Sequence, residues 1–207
     1  MRTVFRTVSG VNVDLLAPDW RDFDLAEIAA ALSEIHRYAG HALRQVSVAQ
    51  HSLVVGALVD PRWRLPALLH DAHEAFLGDW TRPGIEALVA RGGDAVRSAI
   101  LRVRRPLDVA LARAVLEASG AVCVHGLAAE AMALADRMTS AEVAAADEQA
   151  FRLEDAIRGD PNHSTLFEIA RPGERYGQSA QTPDFIAEQW LAAVRTATVA
   201  AYEESWP

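Results

Sequence analysis

Apolar residues recur at helical spacing along most of the chain, and this pattern predicts a mostly helical protein. The first run after Pro18 lies on one helix face, at Leu25, Ile28, Ala29, Leu32 and Ile35. Asp24 followed by Glu27 resembles a capping box at the start of this helix, and Gly40 is placed to end it. Before it, β-branched and polar residues alternate around Ser9-Gly10, which predicts a small β-hairpin.

Capping residues and breakers divide the rest of the chain into further helices. One helix is expected from Ser47 to the stop at Asp60-Pro61, and the next over residues 65–77 with Gly78 as its cap. Two more are expected from Pro83 to Gly92-Gly93 and over residues 94–118, the latter with a kink or break at Pro106. The last two are expected from Leu127 to about Phe151 and from Asp184 to about Tyr202. The stretch 159–183 is rich in Pro, Gly and polar residues and is predicted to be a long loop. We therefore expect one all-α domain over residues 1–207, ending in the loop and helix of 159–205.

Composition narrows the class of protein. No apolar run approaches the ~18 residues that cross a bilayer, and the N-terminus lacks the apolar core of a secretory signal. We therefore expect a cytoplasmic protein without membrane association. The net charge of −8 disfavours binding to a nucleic-acid polymer. All 20 basic residues are arginine, which favours a local phosphate site or reflects coding bias, and the lone Cys123 excludes an intramolecular disulfide.

Polar residues interrupt several apolar helices and are the candidates for chemistry. His70 and Asp71 are adjacent in ALLHDAHEAFLGD, where burial is unfavourable unless both find a partner such as a divalent cation. His51 and Asp136 interrupt two other apolar segments. Taken singly, a hydrogen-bonded core histidine and a surface ion pair are the simpler readings. Taken together, the ordered set of His51, His70-Asp71 and Asp136 lies on three separate predicted helices and is far more specific than any one of its members.

Two neighbours of this set are further candidates. Glu74 lies one turn after His70 on the same helix face, and a carboxylate beside a metal-activated water can accept or relay a proton. His73 either supports the metal ligands from behind or packs on the surface.

The sequence segments that contain these residues resemble a known family. SVAQHS, LLHDAHEAFLGD, LADR and IHRYAGH resemble the HD-domain metal-dependent phosphohydrolases, whose ligands follow an H…HD…D order. Within that family they look most like the 5′-deoxynucleotidase branch and its phage and prophage relatives, over residues 20–140. The resemblance implies a helical HD-domain bundle, a homodimer or higher homo-oligomer, and one divalent metal ion (Mn, Co, Fe, Ni, Zn or Mg).

Residue roles follow from this resemblance. It implies metal ligation by His51, His70, Asp71 and Asp136. It places Glu74 as the carboxylate that activates water and Asp79 near the active-site water and the substrate. Arg37 stands where the nucleotidases carry a phosphate-binding arginine.

Other substrate contacts are less determined by the resemblance. His41 and Arg44 lie in the loop before the first ligand, where His41 either binds phosphate, acts as an acid or is a solvated loop residue. Trp80 either stacks on a nucleobase or belongs to the core. Where the nucleotidases carry a Pro-Thr-Pro turn and a basic residue, this chain has TRPG at 81–84, so phosphate contacts move to Arg82 or are lost. The spacer between the two histidine ligands is also shorter.

The leading hypothesis is therefore metal-dependent hydrolysis of a nucleoside monophosphate, as in 5′-deoxynucleotidases. One alternative is a triphosphohydrolase that releases tripolyphosphate from a deoxynucleoside triphosphate. Another is a nucleotide or metal sensor without catalysis.

Overall fold

The expected all-α architecture with a small N-terminal hairpin is confirmed. The computed structural model describes residues 3–43, 45–121, 123, 125–158 and 182–203. Its hairpin pairs β1 (Val4–Arg6) with antiparallel β2 (Asn12–Asp14). The helices are α1 (Leu25–Glu34), α2 (Val48–Leu58), α3 (Arg64–Leu69), α4 (Glu74–Leu77), α5 (Arg82–Gly92), α6 (Asp94–Ser119), α7 (Leu127–Met138), α8 (Ala141–Arg158) and α9 (Pro183–Glu203). Short 3₁₀ turns cover Trp20–Asp22, Arg37–Gly40 and Pro61–Trp63.

Local capping sets the start of the helices that matter for the site. At α2 the Ser47 side chain accepts a hydrogen bond from the Gln50 backbone, and the Gln50 side chain accepts one from the Ser47 backbone. This capping box fixes the register of the helix. Asp24 caps α1 as expected, but Glu27 does not close a box there. Its carboxylate instead accepts hydrogen bonds from the backbone and hydroxyl of Ser9, which ties the hairpin to α1.

Three helix boundaries differ from those expected. α1 ends at Glu34 rather than at Gly40, so the 3₁₀ turn at 37–40 forms a separate element. α6 continues through Pro106 without ending. The expected helix over 65–77 is divided by a turn at residues 70–73, while Gly78 ends α4 with a positive φ of 75° as expected.

A fourth difference decides the geometry of the site. The helix expected from Leu127 to Phe151 is two helices, because Thr139 and Ser140 interrupt it. The Thr139 hydroxyl donates to the Asp136 carbonyl at 3.1 Å, and the Val143 backbone N–H donates to the Ser140 hydroxyl at 3.3 Å. Ser140 thus caps a new helix, and α8 has a direction of its own.

Two groups of buried apolar residues hold the helices together. The larger core surrounds the fully buried Trp190 of α9, whose Nε1–H donates to the Leu68 carbonyl of α3 at 3.0 Å. A smaller group packs α8 against α2 and consists of Val46, Val54, Val55, Ala67, Val143, Ala146 and Ala150. The second group positions the helix face from which α8 contributes to the site.

Among the described residues, no helix combines the length and apolar character that would let it cross a membrane. Of the predicted loop at 159–183, residues 159–181 lie outside the described residues, and so does Arg44.

Candidate metal centre

Four donor atoms from three parts of the chain converge in one place. His51 comes from α2, His70 and Asp71 from the turn after α3, and Asp147 from α8. The donor atoms of His51, His70 and Asp147 lie within 4.8 Å of one another, and those of Asp71, His73 and Glu74 form a second such group beside them. Nε2 of His51 lies 3.0 Å from Oδ1 of Asp147 and 3.6 Å from Oδ2 of Asp71. Nε2 of His70 lies 3.0 Å from the same Asp71 oxygen and 4.0 Å from Oδ1 of Asp147. Imidazole and carboxylate are the donor types that divalent metals take.

The spacing of these atoms fits a single cation. Two metal–ligand bonds of about 2.1 Å at right angles place their donor atoms about 3.0 Å apart. Both histidines are almost wholly buried, and neither Nε2 atom makes a hydrogen bond of good geometry within the described part of the chain. The ion-pair contacts of these two atoms are to the Asp71 and Asp147 carboxylates, so the four groups face one another as the ligands of one cation do.

The other nitrogen of each ring is fixed by an acceptor behind it. Nδ1 of His51 lies 2.6 Å from Oε1 of Glu154, and Nδ1 of His70 lies 2.8 Å from the Ala67 carbonyl. Because both partners accept hydrogen bonds, each ring carries its proton on Nδ1 when neutral and turns the Nε2 lone pair to the centre. Ligating histidines are usually oriented in this way.

The prediction that Asp136 is the fourth ligand is corrected by this geometry. Asp136 lies near the end of α7 with 70% of its side chain exposed, and its Oδ1 lies 2.6 Å from Arg105 of α6. Asp136 therefore forms a surface ion pair, which was the simpler interpretation, but its partner is Arg105 and not the adjacent Arg137. Asp147 takes the predicted ligand position because the break at 139–140 starts a new helix.

A signal for Asp147 was present in the sequence. Thr139-Ser140 is a helix start, and apolar residues then recur at Val143, Ala146 and Ala150. Asp147 and Glu154 fall on this apolar stripe, since they lie four and eleven residues after Val143. Two carboxylates on a buried face need partners, which marks them as site residues.

Arg37 lies beside the four donors, as expected. Its Nε is 3.0 Å from Oε2 of Glu154, and one terminal nitrogen is 3.6 Å from Oδ2 of Asp71. The hydroxyl of Tyr38 donates to the same Glu154 oxygen at 2.7 Å. Tyr38 and Ala39 both have left-handed backbone, with φ of 61° and 51°. Non-glycine residues adopt this conformation where the surroundings impose it, often at functional sites.

Glu74 and Asp79 lie near the donors but in a different electrostatic setting. Glu74 is buried, and its Oε2 has no hydrogen-bond partner among the described residues. Burial, together with the neighbouring Asp71 and Asp79 carboxylates, raises the pKa of Glu74 well above its usual range. Burial also raises the pKa of Asp79, although Arg37 opposes this. Groups whose pKa is raised toward neutrality suit proton transfer.

The other described residues that were predicted to contact substrate are exposed. His41 is exposed in the loop after the 3₁₀ turn. Trp80 is 49% exposed rather than part of the core, and its Nε1–H donates to the Leu77 carbonyl at 3.0 Å. Arg82 is exposed, and it pairs with Glu148 at 3.1 Å.

A second polar group lies behind the histidine-aspartate turn, and His73 is the member of it that the sequence analysis named. His73 is buried, with Nδ1 3.2 Å from Oδ1 of Asp108. Arg104 lies 3.4 Å from the other Asp108 oxygen and donates to the His70 carbonyl at 2.8 Å. Asp108 is only 2% exposed, so this network holds the turn from inside the protein. Asp108 follows Arg104 by one helical turn, which is the usual spacing of an exposed ion pair on a helix. The sequence therefore gave no signal that Asp108 is buried.

Comparison with known proteins gives two partial matches. No protein-family model matches the chain. The chain is 40% identical over 96 residues to an uncharacterized protein of Rhodobacter capsulatus. The matched segment covers 42% of this chain and 48% of that protein. It is 42% identical over 62 residues to the uncharacterized protein YfdR of Escherichia coli K12, covering 30% of this chain and 35% of that protein. The chain thus matches less than half the length of each relative.

Exchange of the two candidate aspartates tests the corrected ligand set. We expect Asp147→Ala to weaken binding of Mn²⁺ or Co²⁺ by about 100-fold or more, since loss of a direct ligand should exceed the ~10–100-fold effect of losing an orienting group. Asp136→Ala, which removes a surface carboxylate, should bind as wild type does. Isothermal titration calorimetry measures both affinities. Equal losses in the two variants would contradict the assignment.

Metal binding should release a proton near neutral pH. Burial and Arg37 lower the pKa of His51, but the Glu154 and Asp147 carboxylates outweigh them and raise it to about 9. Ligation requires Nε2 without its proton, so a metal must displace that proton below pH 9. We expect apparent affinity to rise with pH up to that point, by about tenfold per pH unit for one proton. Calorimetry at pH 7 in buffers of different ionisation enthalpy counts the protons; release of none would contradict the prediction.

Proposed function

We propose that this protein is a metal-dependent phosphohydrolase of nucleotides, acting most readily on deoxynucleoside 5′-monophosphates. The observation that carries the proposal is the convergence of two buried imidazole nitrogens with two carboxylates, beside a third carboxylate and an arginine. The resemblance of the surrounding sequence words to the 5′-deoxynucleotidase branch supports the substrate class. The partial relatives add no activity, since both are described only as uncharacterized.

The four donor residues define which kind of ion the site could hold and what chemistry that ion would supply. His51, His70, Asp71 and Asp147 would bind one divalent cation. Such a cation polarises a phosphoryl oxygen and makes water a stronger nucleophile at neutral pH. Two neutral imidazoles and two carboxylates suit several first-row metals, and availability decides between them.

Glu74 is the group placed to handle the proton of the attacking water. Its free Oε2 is buried among Asp71 and Asp79, and this keeps a proton on it at a higher pH than on an ordinary glutamate. When ionised it is therefore a stronger base than usual, and once protonated it can return the proton to the leaving oxygen. Asp79, with its pKa also raised, is the next group along this route.

Arg37 would bind the phosphate. Its guanidinium already lies at the edge of the donor cluster, near Asp71 and Glu154. Arginine presents several N–H donors in one plane, so it can keep one contact to Glu154 while turning others to phosphate oxygens. Arg82, which pairs with Glu148 of α8, is a second candidate once that exposed pair opens. With such a substrate, we propose that the protein acts in the cytoplasm.

A substrate screen tests the proposal directly. Deoxynucleoside mono- and triphosphates are incubated with the protein and Mn²⁺, Co²⁺ or Mg²⁺, and the products are identified. Orthophosphate from a monophosphate supports the nucleotidase activity. Tripolyphosphate from a triphosphate would replace it with the triphosphohydrolase. Tight nucleotide and metal binding without any product would show a sensor and contradict the enzyme.

The role of Glu74 is tested by a single conservative substitution. We expect Glu74→Gln to lower turnover by about 100-fold or more while metal affinity changes little, because general acid–base catalysis contributes about 10²–10⁴-fold. Glu142→Gln, which changes an exposed glutamate of α8, is the matched control and should leave turnover unchanged. Loss of metal binding in Glu74→Gln would instead assign Glu74 to the metal ligands.

A further inference from the structure

Phe151 is the one aromatic residue of α8, and it stands between two side chains of the candidate site. It follows Asp147 by four residues and precedes Glu154 by three, so the three side chains project from one face of the helix. With a helical rise of about 1.5 Å per residue, Phe151 lies about 6 Å along α8 from the candidate metal ligand. The sequence of α8 thus places an aromatic ring beside the four donors.

The ring of Phe151 has no place in the apolar cores. Among the described residues that build or border the two groups of buried apolar side chains, Phe151 does not occur, and its side chain is only partly buried. By contrast, Phe23, Phe76 and Trp190 all belong to the larger group or pack against it. A large aromatic ring that stands outside the core, at the edge of a polar site, is available to a ligand.

Two flat side chains lie against this ring. The Tyr38 ring is 6.0 Å from it, centroid to centroid, at an interplanar angle of 45°. The Arg82 guanidinium lies over it, 5.1 Å from the ring centroid. A guanidinium is planar and stacks on aromatic faces, so Arg82 takes the kind of position that a stacked nucleobase takes. The face of Phe151 is therefore already used as a stacking surface.

The two neighbours of the ring differ in how firmly they are held. Tyr38 is tied to the site, because its hydroxyl donates to the buried Glu154 carboxylate at 2.7 Å. Arg82 is 54% exposed, and its ion pair with Glu148 lies at the surface. Ion pairs between exposed side chains add little to stability, so this contact opens at small cost. Its opening uncovers the face of Phe151 and also frees the Arg82 guanidinium for a phosphate.

We propose that Phe151 is the platform on which the nucleobase of the substrate stacks while its phosphate lies at the metal centre. The inference rests on the proposed function and specifies how the nucleotide lies in the site. A phenyl ring stacks on every nucleobase and offers no hydrogen-bonding group to tell one base from another. The platform therefore selects nucleotides over other phosphate esters, and it accepts all four deoxynucleotides with similar affinity.

Trp80 is the competing surface for a base. It is 49% exposed, and its Nε1–H donates to the Leu77 carbonyl. Within the described part of the chain, no ring contact or hydrogen bond joins Trp80 to α8 or to the four donors. Phe151 instead shares a helix with Asp147 and contacts Tyr38. These contacts favour Phe151, and the experiment includes Trp80 as the rival.

Calorimetry at saturating Mn²⁺ tests the platform without turnover. The two probes are the 5′-methylenephosphonate analogues of dAMP and of deoxyribose 5-phosphate, whose P–C bond is not hydrolysed. We expect Phe151→Leu to weaken binding of the dAMP analogue by about tenfold or more, since stacking is lost, and to leave the analogue without a base unaffected. Phe151→Trp should retain wild-type affinity for both. The matched control, Phe5→Leu on the β-hairpin, removes another partly exposed ring and should bind both analogues as wild type does.

Three results would overturn the platform. These are unchanged affinities in Phe151→Leu, an equal loss for both analogues, or a selective loss in Trp80→Leu in place of Phe151→Leu. Each of them leaves the proposed function standing, whereas wild-type protein that binds neither analogue would refute both. Should Phe151→Leu fail to fold, as judged by circular dichroism, wild-type protein decides the question. It must bind the dAMP analogue about tenfold or more tightly than the analogue without a base, and equal affinities would refute the platform.

Discussion

The contact between His51 and Glu154 is the interaction on which the site depends. Both side chains are fully buried, and Nδ1 of the ring lies 2.6 Å from the carboxylate. The contact fixes which nitrogen of His51 faces the centre, and it links α2 to α8. The same carboxylate receives Arg37 and the Tyr38 hydroxyl, so the turn with left-handed backbone is attached at the same point. A buried carboxylate with three donors is a rigid anchor, because moving any donor leaves a buried charge without its partner.

Around that anchor, the directions of the pKa shifts separate two kinds of carboxylate. Burial opposes ionisation of Asp71 and Asp147, but the neighbouring histidines hold the pKa of each below its usual range, so both are suited to bind a cation. For Glu74 and Asp79 burial, together with the neighbouring Asp71 carboxylate, outweighs the opposing positive charges and raises the pKa of each. Environments that push the pKa values of neighbouring acids apart assign them different roles, here metal ligation and proton transfer.

Much of this arrangement follows from short-range signals in the sequence. Ser47 caps α2 through its own neighbours, and the placement of His51 on that helix could be predicted from the chain alone. The choice between Asp136 and Asp147 was less determined. Both lie in an alanine-rich stretch, where alanine favours helix on every face, so the stripe of Val143, Ala146 and Ala150 gives only a weak periodic contrast. Which acid faces the site is decided by the cap at Ser140 and by the packing of α8 on α2, and the second is a long-range property.

The network behind the histidine-aspartate turn connects the metal centre to α6, and it gives the arginines of that helix different roles. Arg104 donates to the His70 carbonyl and lies next to Asp108, which in turn faces His73. It therefore supports the turn that carries two of the four donors, and reversing its charge would disturb the site. Arg97 lies two turns earlier on α6, where no described carboxylate pairs with it. Because helix residues far from a network act independently of it, a substitution of Arg97 leaves the site unchanged.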